Sequence, residues 1–98
     1  MANLYFTVHE SATQLGEGDV QQENVIAIGA ISTQGAAITG TSPALKSVRL
    51  FAESKVFVTW GSNPTATNDG LSGRPVGAEN PEWVQIKAGD LIAVIERT

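Results

Sequence analysis

Hydrophobic residues recur at every second position in several short stretches of the chain, and turn-forming clusters separate those stretches. Leu4, Phe6 and Val8 alternate with Tyr5, Thr7 and His9, the period of a strand with one buried face. Val48, Leu50 and Ala52 alternate in the same way with Ser47, Arg49 and Phe51, and Val56, Val58 and Trp60 share one face of the next run. The run from Val25 to Ile31 is apolar on both sides. That suits a central strand, or a strand with one face against a neighbouring subunit. Short runs divided by Gly, Pro, Asn and Ser clusters are the signature of an all-β domain.

The punctuation between the runs predicts their connections. Gly16-Glu17-Gly18-Asp19 reads as a loop, and 36–39 as a short strand before Gly40-Thr41-Ser42-Pro43. A turn at Glu53-Ser54 predicts that 47–52 and 55–60 pair as an antiparallel hairpin. Ala88-Gly89-Asp90 between 83–87 and 91–95 predicts a second, terminal hairpin, with Gly89 at the tight position. The interval 61–80 is polar and long for a structureless loop, a length usually associated with function or mobility. Asn63-Pro64 favours turn initiation within it, Asn68-Asp69-Gly70 tolerates positive φ, and a short strand is expected near Leu71 or Val76. The expectation is an antiparallel β-sandwich or jelly-roll-like domain of about seven strands, without a periodic helix.

Length makes this one domain: 98 residues form a single core with small reserves, so a subunit interface would add useful burial. Only 16% of residues are charged, which leaves much neutral surface. The charge is also unevenly placed. Residues 1–45 hold four acids (Glu10, Glu17, Asp19, Glu23) and no Lys or Arg, whereas 46–98 hold six bases and six acids. Nucleic acid and anionic membrane are therefore poor partners, because phosphate recognition needs a basic stripe. The front part reads as a partner-contacting arm with the first strands, and 46–98 as scaffold. The four acids serve solubility or meet a basic patch on a partner.

Candidate chemistry changes the picture little. The chain has no cysteine and one histidine, His9, expected at the surface beside Glu10. Neither a thiolate site nor a histidine cluster can form within one chain. The carboxylate pairs Glu79/Glu82 and Asp19/Glu23 read as solvated acids, because no apolar pocket is indicated around them. Gly16-Glu17-Gly18 lacks the third glycine of a dinucleotide loop. No cofactor, metal or catalytic role is expected. The start has no basic segment followed by an apolar run, so no signal peptide is expected, and no window approaches a membrane span. Trp60 fits the core, whereas Trp83, just after Pro81-Glu82, is the better interface candidate. The candidate partner surface is therefore Glu10, Glu17, Asp19, Glu23, Val25, Ile26, Ile28, Ile31 and Trp83, with the loop 61–80 as a further source of contacts.

Three segments together resemble a family of small virion proteins of tailed bacteriophages, encoded beside the major capsid protein. These are Val48-Arg49-Leu50-Phe51-Ala52, the run from Val56 to Thr67 with Trp60-Gly61 and Asn63-Pro64-Thr65-Ala66-Thr67, and the closing run from Ile86 to Ile95 with Ala88-Gly89-Asp90. The likeness covers about residues 45–96 and consists of turn chemistry on a β scaffold; residues 1–45 carry little of it. It implies a capsid cement or decoration protein on the virion exterior, assembled in the host cytoplasm. Its partner would be the major capsid protein, and its homo-oligomer a trimer in preference to a dimer. Two alternatives are a carbohydrate- or receptor-binding module of a fibre, using Trp83, and a head–tail connector or neck component.

Overall fold

The computed structural model describes residues 2–9, 20–40, 45–69 and 73–97. Eight strands follow one another: β1 (Asn3–His9), β2 (Val20–Ala27), β3 (Thr33–Gln34), β4 (Leu45–Ala52), β5 (Val56–Gly61), β6 (Arg74–Val76), β7 (Glu82–Lys87) and β8 (Leu91–Glu96). They form two four-stranded antiparallel sheets, a first of order β2-β1-β4-β7 and a second of order β3-β8-β5-β6. The molecule is all-β, an antiparallel sandwich among its described residues.

Alternation decides which side of each strand is inside. Leu4, Phe6 and Val8 of β1, Val48, Leu50 and Ala52 of β4, and Val84 and Ile86 of β7 face the second sheet across the core. Val56 and Val58 of β5, Val76 of β6, and Ile92 and Val94 of β8 answer them. Trp60 packs against the end of this cluster, as its place in the alternation predicts.

The pairing of strands differs from both expected hairpins. β4 and β5 lie in different sheets, and so do β7 and β8. A strand that buries alternate residues satisfies the pattern equally well beside its predecessor or opposite it across the core, so alternation cannot separate a hairpin from a crossover. The bonds at each corner show which wins. Glu53 N–H donates to Asn3 C=O at 3.0 Å, and Asn3 N–H donates to the Glu53 carboxylate at 2.8 Å. The chain leaving β4 is thus held by the start of β1. Two residues later Lys55 C=O accepts from Arg97 N–H at 3.0 Å, which joins it to the end of β8.

At the other corner Asp90 N–H donates to Lys87 C=O, closing a turn in which Gly89 has a φ of 93°. A side chain there would meet the Cβ–carbonyl clash that disfavours left-handed backbone. The turn is received by buried Ile38, whose N–H donates to Asp90 C=O and whose C=O accepts from Gly89 N–H, each at 2.8 Å. The segment 36–39 is therefore not the short strand expected. It is an irregular stretch that holds a corner, and the nearby strand is the two-residue β3.

Two further expectations change. The run 25–31 is not one strand, because β2 begins earlier and ends at Ala27, and it is an edge strand of its sheet. Its inner side is tied to 37–39 by Gln22, whose amide donates to Ala37 C=O and accepts from Thr39 N–H. The short strand expected near Leu71 or Val76 within 61–80 is Arg74–Val76, which pairs with β5 as β6. Positive φ falls at Glu79 (55°), not at Asn68 or Asp69; Gly70 lies outside the described residues, as does the expected 16–19 loop. Of the front part, β1 lies in the interior of the first sheet between β2 and β4, and β2 at its edge.

Candidate interaction face

The two sheets treat their outer faces differently. On the second sheet Phe57 of β5 pairs across strands with Ile95 of β8, and Thr59 with Ala93. Phe57, Ala93 and Ile95 point away from the main core yet are buried, because the segment after β5 lies over them and contributes Ala66 to the cluster. The cover is fastened by side chains beside β3. Gln34 Nε2 donates to Asn63 Oδ1 at 3.0 Å and to Pro64 C=O at 2.6 Å, and Ala66 N–H donates to Ser32 Oγ at 2.9 Å. The Arg97 guanidinium closes the margin, 5.6 Å from the centre of the Phe57 ring. The Asn63-Pro64-Thr65-Ala66 turn thus acts as a strap over its own sheet.

The outer face of the first sheet carries no such cover among the described residues. Register places its outward side chains in cross-strand rows. Val25, Tyr5 and Phe51 form one row on β2, β1 and β4. Glu23, Thr7, Arg49 and Trp83 form the next, running from β2 to β7. His9, Ser47 and Gln85 form a third. Neighbours in such rows stand about 5 Å apart, close enough for their side chains to interact.

Two sub-clusters result. The Arg49 guanidinium lies 5.6 Å from the centre of the Phe51 ring, an attraction between a cation and the negative face of an aromatic ring. Trp83 leans diagonally across β4 to His9, with ring centres 4.9 Å apart and planes tilted by 58°. The small Ser47 lies on the strand between them and is buried, its Oγ 3.5 Å from Gln85 Nε2. His9 is therefore not the surface residue expected. It is 8% exposed, with its Nε2 3.0 Å from Thr7 Oγ1 and its ring 4.9 Å from the indole on β7. Val25 (56%), Tyr5 (41%) and Trp83 (41%) remain open to solvent.

The expected contact residues divide accordingly. Glu23, Val25 and Trp83 are brought onto this one face. Ile26 and Ile28 are core residues, 2% and 6% exposed, and cannot form a contact surface in this fold. Strand parity sends Ile26 inward, and Ile28, just past the strand, is held there by its N–H donating to Ala2 C=O. Ile31 is 77% exposed but sits in the bend between β2 and β3, away from the face. Glu10, Glu17 and Asp19 lie outside the described residues.

Sequence reasoning missed Tyr5, Arg49 and Phe51. The available signal was aromatic residues at solvent-side positions of alternating strands; reading those positions as merely polar hides it. Among the described residues no three His, Asp or Glu side chains gather to hold a metal ion. Glu82 is engaged by Arg74 at 2.9 Å in an exposed ion pair. What this face offers chemically is a shallow surface of aromatic and aliphatic groups, with one acid toward the β2 edge and basic groups on β4 and β7. No family profile, curated protein or solved structure matches the chain.

Proposed function

We propose that this chain is a structural virion protein of a tailed phage, a cement or decoration protein that docks on the shell of the major capsid protein and stabilises it. One observation carries the proposal. A sandwich that straps down the outer face of one sheet leaves Tyr5, Val25 and Trp83 exposed on the other. Exposed aromatic groups flanked by charges, on an open sheet face, suit contact with another protein surface. The likeness of 45–96 to capsid-associated phage proteins supplies the kind of assembly. A protein that binds only the assembled shell stabilises it by mass action, with no chemistry of its own. The four acids of the front half would speed the approach to a basic shell.

A protein inventory of purified virions from the phage carrying this gene tests the proposal. The chain is expected among the head proteins and should rebind to shells from which it has been stripped. Virions that lack the chain would overturn the proposal. A variant with Glu10, Glu17 and Glu23 changed to Gln and Asp19 to Asn should decorate empty shells more slowly at low salt. The difference should shrink as salt screens charges beyond about 8–10 Å. Equal rates at both salt levels would assign the acids to solubility.

A further inference from the structure

We infer that the open face of the first sheet is self-complementary and pairs with the same face of a second copy. This rests on reading the face as a protein contact surface and names its occupant as a second copy, so the contact with the shell falls to the remaining surfaces of the pair.

Charge placement carries the inference first. Across the row Glu23–Thr7–Arg49–Trp83, acid stands on β2 and base on β4, with exposed Lys87 on the outer side of β7. Glu23 and Arg49 stand on either side of Thr7 in this row and form no ion pair with each other. A twofold axis lying between the two faces and running along the strands reverses the lateral order of one copy over the other. β2 then lies over β7 of the second copy, and β1 over its β4. Glu23 is brought to the side where Arg49 of the second copy can reach it, and the contact repeats by symmetry.

The apolar groups obey the same operation. Tyr5 and Phe51 share a row on β1 and β4. Reversal therefore sets Tyr5 over Phe51 of the second copy, and Phe51 over its Tyr5. Trp83 is carried over the β2 edge, next to Glu23 and Val25. Tyr5 and Phe51 thus meet each other twice about the axis, as an isologous interface requires, with no new group introduced.

Size sets the strength. Four strands about 4.8 Å apart, each of six to eight residues rising about 3.3 Å, make a face roughly 20 Å by 20 Å. That footprint is about half the ~800 Å² per partner of a standard interface, so the pairing is expected to be weak and reversible. Because such a face is used up by one partner, the pairing closes at two copies, and the trimer implied by the phage resemblance would need a different contact.

Analytical ultracentrifugation of the full chain over a range of concentrations tests this. The expected result is reversible growth from 10.3 kDa to twice that mass and no further. Glu23→Arg and Arg49→Glu singly should each weaken pairing at least tenfold, since each places like charges together. The double variant should recover most of the loss, because the pair is restored with its sign exchanged. Circular dichroism on each variant separates lost pairing from lost folding, and Trp83→Ala gives a second, uncharged disruption. A chain that stays monomeric, one that forms trimers, or a double variant no better than the singles would overturn the inference. A monomer that still decorates shells would leave the virion role standing and assign the face to the capsid protein. A dimer from a chain missing in virions would do the reverse.

Discussion

The two outer faces of this sandwich share a strand pattern and end differently. On the second sheet Phe57, Ala93 and Ile95 are outward by parity, yet they are buried, because the chain returns over them and is fastened by Gln34 and Ser32. On the first sheet Tyr5, Val25 and Trp83 are equally outward and stay exposed. One face is covered by the chain itself. The other carries no cover among the described residues. In a chain of 98 residues the distinction matters, since every apolar group left outside is unavailable to a core that is already small.

Changes to the covered face should cost the most stability. Phe57→Ala removes a buried ring from between Ala66, Ala93 and Ile95, and should lower unfolding free energy by about 3–4 kcal/mol in urea titration. Tyr5→Ala, at the matching outward position of the open face, should cost less than about 1 kcal/mol in the dilute protein, where only its cross-strand contacts are lost. Equal losses would erase the difference between the faces.

The corner that carries the chain from the first sheet to the second comes next. Gly89→Ala places a side chain at a φ of 93°, and should destabilise by about 1–2 kcal/mol without altering oligomeric state. The strap follows. Gln34→Ala deletes both hydrogen bonds to Asn63 and Pro64 and should cost about 1 kcal/mol. Ser32→Ala should show chiefly as faster amide exchange at Ala66, whose N–H loses its acceptor. Smallest of all is Arg74→Ala. Its ion pair with Glu82 is solvent-exposed and should contribute no more than about 0.5 kcal/mol, a value that salt reduces further.

How far these features were legible in the sequence depends on the range of the interaction. The inward sets Leu4/Phe6/Val8, Val48/Leu50/Ala52 and Val56/Val58/Trp60 follow from alternation alone, because burial of one face acts on every second residue of a strand. The turn at Gly89 was legible for a similar local reason. Which sheet each strand joins was not. It depends on Glu53 meeting Asn3, on Lys55 meeting Arg97 and on Ile38 receiving the last corner, contacts between residues distant in the chain. The double-sided apolar run 25–31 was misleading for its own reason. Its Ile residues at 26 and 28 belong to the core, while Val25 faces outward and Ile31 lies beyond the strand.

The candidate face shows the same division. The sequence offers Trp83, Glu23 and Val25 as contact candidates, but only as parts of separate segments. Only the register of β2, β1, β4 and β7 places them on one surface with Tyr5, Arg49 and Phe51. The buried place of His9 is not legible from its neighbour Glu10, since the indole packed against it lies more than seventy residues away in the chain.

Hydroxyl-radical footprinting of the full-length protein, dilute and concentrated, tests most directly whether one face docks while the other is closed. Tyr5, Phe51 and Trp83 report on the open face, and Phe57 and Trp60 on the covered sheet and the core end. The expected result is that oxidation of Tyr5 and Trp83 falls as concentration rises, while Phe57 and Trp60 react at the same low rate throughout. Protection of the 62–69 strap instead, or unchanged oxidation at Tyr5 and Trp83, would contradict the assignment of the β2-β1-β4-β7 face as the docking surface.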